Sequence, residues 1–196
     1  MGMRVPRWGL ALLASGVLLA GCGGGQDEDK GDDDSSSASP SPSAGDDNSS
    51  GEPGTLSGTF TGAFRKVDNP PEGTDDVKGT VEMEVGDDGT KVSVEVEGLE
   101  DKAVYVAHVH KDACAAADPG GAHYKYDPDG GDQPPNEIHL DVKNEDGKGT
   151  GEAENDDAAT SEARSVVLHL KRAANAKKDE TKPPKVACAD LVKEQG

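Results

Sequence analysis

Positive charge is scarce in this chain. Its 196 residues carry 39 Asp and Glu against 20 Lys and Arg, a formal net charge of −19. A surface of that sign repels phosphate. Nucleic-acid binding is therefore excluded as a function, and so is a polybasic patch seated on an anionic membrane. Long apolar runs are lacking too. The one sustained run, residues 9–19, is too short to span a bilayer comfortably. An apolar period of 3.6 residues is absent apart from a weak stretch near residues 172–178, and no internal repeat is visible. Cysteine is limited to three residues, tryptophan to Trp8, and histidine to five.

The apolar run lies at the N-terminus behind Arg4 and Arg7, the arrangement of an export signal. It closes in Leu19-Ala20-Gly21-Cys22, which resembles a bacterial lipobox. That resemblance implies cleavage before Cys22 and lipidation of Cys22. The mature protein is then expected outside the cytoplasm, anchored to the cell membrane by lipid and not by a span. Residues 1–22 are thus read as the lipoprotein signal. Residues 23–54 are almost entirely Gly, Ser, Asp and Pro, which cannot bury a core, so they read as a disordered acidic tether. Residues 55–196 remain, about 140 in all, enough for one domain with a real core. With Cys22 assigned to lipid, Cys114 and Cys188 are left together. Outside the cytoplasm such a pair points to a disulfide, the alternative being cysteine as a copper ligand.

The domain reads as β. Residues 56–67 alternate loosely. Residues 77–85 and 91–97 alternate strictly, with Val81, Met83 and Val85 on one face and Val92, Val94 and Val96 on the matching face of the next strand. Gly86-Asp87-Asp88-Gly89 between them reads as a hairpin turn. Further strands are expected at 103–110, 137–142, 149–153, 165–171 and 185–188. About eight short strands separated by turn signals predict an all-β antiparallel barrel or sandwich. Two segments, 111–136 and 172–184, are too long for hairpin turns, and long ordered loops on a β scaffold carry function.

Histidine is confined to the C-terminal half. His108 and His110 are two residues apart in one strand and so share a face, which sets two nitrogen ligands side by side. His169 projects from another buried strand, away from its more apolar side. His123 follows Gly120-Gly121-Ala122 in the first long loop, and His139 sits where that loop returns to a strand. Five imidazoles that could feed one site suggest a transition metal, and spacing alone does not choose copper over zinc.

In order along the chain, Gly98-Leu99, Ala107-His108-Val109-His110, Cys114, Gly120-Gly121-Ala122-His123-Tyr124, Ile138-His139-Leu140-Asp141, Ser165-Val166-Val167-Leu168-His169 and Lys185-Val186-Ala187-Cys188 resemble the Cu,Zn superoxide dismutase family. The resemblance covers residues 55–190 and implies an eight-stranded Greek-key barrel with two functional loops. It implies a copper site of His108, His110, His123 and His169, with His123 in the place of the histidine that bridges copper to zinc and carries a proton. It further implies a Cys114–Cys188 disulfide and His139 as a zinc ligand. The expected function is an extracytoplasmic superoxide dismutase, with superoxide as substrate. The alternative is a non-catalytic copper-binding or copper-buffering lipoprotein on the same fold. Dimers are common in that family, but no apolar patch in the sequence marks an interface.

The departures from the family concern zinc and substrate. No further histidine lies between His123 and His139, where the chain reads Asp127-Pro128-Asp129-Gly130-Gly131-Asp132. A zinc set would have to be His123, His139, Asp141 and one of Asp127, Asp129 or Asp132, with Asp132 preferred. No carboxylate follows His169 at Lys171-Arg172-Ala173-Ala174, where the family has one linking its two metals. These losses resemble the copper-only branch. The arginine that the family sets beside copper to hold the anion is replaced by Lys185, which keeps the charge but not the planar fork. Lys171, Arg172, Lys177, Lys178, Lys182 and Lys185 make 171–185 the most basic stretch of the chain, positioned to guide an anion against the global field.

Overall fold

The structure, a computed structural model, describes residues 53–195. The signal, Cys22 and the tether up to residue 52 lie outside the described residues. Within them nine strands run in sequence: β1 (Gly58–Lys66), β2 (Lys78–Gly86), β3 (Gly89–Glu97), β4 (Val104–His110), β5 (His139–Glu145), β6 (Lys148–Asn155), β7 (Ser165–Arg172), β8 (Lys185–Asp190) and β9 (Val192–Lys193). No described residue is helical. The weak helical period near residues 172–178 yields only the end of β7 and one turn, closed by the Ala176 N–H on the Ala173 carbonyl at 3.0 Å. Only Ala173 and Ala174 of the segment pack against the core, and Pro183-Pro184 follow, so too little apolar surface is buried to propagate the turn.

All pairings are antiparallel, in the order β1-β2-β3-β6-β5-β4-β7-β8, and β8 returns to β1 through Arg65 opposite Cys188. Eight strands thus close a barrel, with the crossovers β3 to β4 and β6 to β7 giving Greek-key connectivity. Closure removes the free edges that an open sheet would expose. The ninth strand is short and runs beside Phe60 and Thr61 of β1. The hairpins follow turn chemistry. Gly86 faces Gly89 across Asp87-Asp88. Between β5 and β6 the turn residues Asp146 and Gly147 both take positive φ, 51° and 77°, as a type I′ turn requires.

Strand alternation fills the interior. Val81, Met83, Val85, Val92, Val94, Val96, Tyr105, Ala107, Val109, Leu140, Val166, Leu168 and Leu170 form one buried cluster. The opposite face of β4 carries Val106, His108 and His110, and that of β7 carries Val167 and His169. The histidines therefore sit on the outer wall of the barrel, yet His108, His110 and His169 are buried there, because the two long loops cover that wall.

Candidate metal centre

Register places the histidines in a compact grid on the outer wall. His108 faces His139 across β4 and β5, and Val106 faces both Asp141 of β5 and His169 of β7. The first long loop, residues 111–138, then returns and sets His123 opposite His110 through an isolated bridge. Flanking bonds fix that return: the Lys111 N–H donates to the Ala122 carbonyl (3.0 Å) and the Tyr124 N–H to the Val109 carbonyl (2.8 Å). Glycine is required where the loop turns inward. Gly120 and Gly121 have φ of 79° and 61°, and a Cβ at Gly120 would lie 2.5 Å from Val167 and 3.2 Å from His110.

His108, His110, His123 and His169 each bring one ring nitrogen into a group whose members all lie within 4.8 Å of one another, and the group could hold a metal ion. The second nitrogens are tied. His110 Nδ1 donates to the Gly121 carbonyl (3.1 Å) and His169 Nδ1 to the Pro183 carbonyl (3.0 Å). His123 Nδ1 donates to Glu137 Oε2 at 2.9 Å. Because a carbonyl only accepts, these bonds put the hydrogen on Nδ1 and leave the lone pair on Nε2. His110 Nε2 and His169 Nε2 then face each other at 3.2 Å. Two facing lone pairs at that distance repel unless a cation lies between them. Two imidazoles bound side by side to one ion place their nitrogens about 2.9–3.4 Å apart. The fourth ring, His108, has a buried Nδ1 with no hydrogen-bond partner.

Electrostatics agree with that donor set. Burial pushes His108 down to about 2, His110 to about 3 and His169 to about 4. The neighbouring His123 adds to each of these shifts by like-charge repulsion. These rings are neutral at physiological pH, the form that binds metal.

The other expected zinc ligands do not gather into a site. His123 has its second nitrogen on Glu137. His139 Nδ1 lies 2.8 Å from His108 Nε2, and its Nε2 lies 3.4 Å from Asp141 Oδ1. Asp132 is exposed and pairs with Lys125, which also donates to the Gly130 carbonyl at 3.2 Å. A lysine, with Asp132, Asp127 and Glu137 around it, supplies positive charge in this loop. The buried acid beside the quartet is Glu137, 5% exposed. Its sequence signal was the lone carboxylate ahead of Ile138-His139, at a position that reads equally well as a strand start.

Lys185 lies opposite His169 on β8, at the edge of the site. Its ammonium is engaged with the first loop: it donates to Asp118 Oδ1 (2.6 Å), the Pro119 carbonyl (2.8 Å) and the Gly121 carbonyl (3.3 Å). The residue expected to hold the substrate anion is thus also one that clamps the first loop. Of the other basic residues in that stretch, Arg172 pairs with Asp179 (3.3 Å) and Lys171 lies 3.9 Å from Asp141. Lys177, Lys178 and Lys182 are exposed and pair with no acid among the described residues.

Cys114 and Cys188 form a disulfide, which excludes them as copper ligands. It ties the loop carrying Gly120, Gly121 and His123 to β8, and the Cys114 N–H adds a bond to Asp190 Oδ1 (2.7 Å). No helix among the described residues is long and apolar enough to cross a membrane. No protein-family model matches the chain, and no curated protein matches it.

Proposed function

We propose that this chain is an extracytoplasmic copper protein, lipid-anchored through Cys22, that converts superoxide to dioxygen and hydrogen peroxide. The observation that carries the reading is the quartet itself: four imidazoles converging on one point, three of them tied down at the far nitrogen. Imidazole suits both copper and zinc, and copper binds such nitrogen sites most tightly among the divalent first-row metals. The ordered resemblance to the Cu,Zn superoxide dismutase family adds the redox function. Glu137 on His123, and Lys125 on Asp132, support placing it in the copper-only branch.

Bound copper would supply one-electron chemistry, taking an electron from one superoxide and giving it, with two protons, to the next. His108, His110, His123 and His169 would hold it. The carbonyls of Gly121 and Pro183 orient His110 and His169. Glu137 keeps the His123 proton on Nδ1, leaving Nε2 for metal or for a proton in transit. His123 is the least buried ring of the four, which suits exchange with solvent and substrate.

A second reading, a copper holder without catalysis, draws on one observation. Asp118 neutralises Lys185 at the position where the family sets its substrate cation. Pulse radiolysis separates the two readings. Copper-loaded chain should accelerate superoxide decay well beyond the metal-free chain. Equal decay would leave the holder. Uptake of one zinc per chain alongside copper would overturn the copper-only assignment.

A further inference from the structure

We propose that His139, backed by Asp141, is the positioning pair for His108, fixing the tautomer whose Nδ1 lone pair faces the quartet, and is not a ligand to a second metal. The inference rests on the quartet being a metal site.

Register sets His139 directly across from His108 on the same outer face, and Asp141 two residues on along β5 shares that face. The hydrogens along this row follow from one fixed end. A carboxylate only accepts, so the contact between Asp141 Oδ1 and His139 Nε2 (3.4 Å) places a hydrogen on His139 Nε2. A neutral imidazole protonated at Nε2 has its lone pair at Nδ1. His139 Nδ1 therefore accepts, and His108 Nε2, 2.8 Å away, must donate. That leaves the lone pair of His108 on Nδ1, the buried atom with no partner in the fold.

The comparison within the quartet sharpens this. His110, His123 and His169 are each held at Nδ1, by two carbonyls and a carboxylate, and offer Nε2. His108 is turned over: it is held at Nε2 and offers Nδ1. The second imidazole ring reaches from the buried His108 to the more open rim, where Asp141 is exposed and Lys171 approaches it to 3.9 Å. An outer partner of this kind is worth 10–100-fold in metal affinity when it is removed.

The test uses the purified full chain and three variants: His139→Phe, which keeps bulk and removes both nitrogens, His139→Gln, which restores an acceptor, and Asp141→Asn. Copper(II) is titrated in competition with a chromophoric chelator, zinc uptake is counted, copper EPR is recorded, and ¹⁵N shifts of the metal-free histidines report which nitrogen carries hydrogen. Wild type should bind one copper and no zinc, with His108 protonated at Nε2. His139→Phe should still bind one copper, 10–100-fold more weakly, with an altered EPR spectrum and a mixed His108 tautomer. His139→Gln should restore most of the affinity and the tautomer, and Asp141→Asn should fall between. Unchanged affinity, spectrum and tautomer in His139→Phe would overturn the proposal, as would a wild-type zinc equivalent that this variant loses. Failure of wild type to take copper would instead remove the metal reading. The metal-free ¹⁵N spectrum still judges the row itself, since hydrogen found on His108 Nδ1 in wild type refutes it.

Discussion

Substituting Glu137→Gln isolates a charge without changing a shape. Glu137 is 5% exposed, and its Oε2 accepts from His123 Nδ1 at 2.9 Å. When His123 Nε2 gives its lone pair to an ion, the ring becomes more positive and its Nδ1–H a stronger donor. A carboxylate rewards that change and an amide does so weakly. A hydrogen bond involving a charged group contributes about 1.5–3 kcal/mol and a neutral one about 0.5–1.5 kcal/mol. The difference, roughly 1–1.5 kcal/mol, corresponds to a loss of about tenfold in copper affinity. Stability of the metal-free chain should move the other way or not at all, because an amide avoids the desolvation that a buried carboxylate suffers. Copper competition titrations and urea unfolding of the metal-free chain measure the two quantities. An unchanged copper Kd would refute the role assigned to Glu137. So would a weakened Kd accompanied by an equally large loss of metal-free stability, since that would mark Glu137 as a plain packing residue.

Three further outcomes are expected. Asp118→Asn should free the charge of Lys185 and raise kcat/KM for superoxide at low ionic strength, with a steeper salt dependence; a fall in rate would mean that the pair serves only to shape the loop. Replacing Cys114 and Cys188 by serine opens a link between residues 74 apart, which the chain-entropy relation puts at about 4–5 kcal/mol; a change under 1 kcal/mol in urea unfolding would contradict that. The metal-free chain should lose stability as pH falls below about 6.5. The folded His108, His110 and His169 titrate far below that value, to about 2, 3 and 4. Protons therefore bind the unfolded chain first, each histidine costing up to about 1.4 kcal/mol per pH unit until its folded value is reached. A flat melting temperature between pH 7 and 5 would count against it.

The barrel was legible because period-two alternation and turn residues are local signals. Residues 77–85 and 91–97 appear as β2 and β3 almost unshifted, and the strand carrying His108 and His110 starts within a residue of its expected position. Number and strand faces pointed to five histidines around one site, and the choice of His108, His110, His123 and His169 among them followed from the family resemblance. Their partners were not legible. Gly121 and Pro183 act through backbone carbonyls, which no side-chain pattern reveals. Glu137 is one acid in an acidic chain, and Lys185 meets Asp118 across a separation of 67 residues. The family resemblance suggested zinc at His139, with Asp141 beside it. Only the β4–β5 register sets His139 ring to ring with His108.

Because the histidines stand on the outer wall while the apolar cluster fills the interior, holding an ion and holding a shape depend on different sides of the same strands. Such a protein has two separate thresholds. A chelator that removed an ion from this wall would leave the apolar cluster in place, so the emptied chain could be refilled where it stands. Substitutions on the exposed parts of the loops can retune the chemistry while the cluster keeps the barrel closed, whereas Cys114, Tyr124 and Ile138 of the first loop belong to the fold itself.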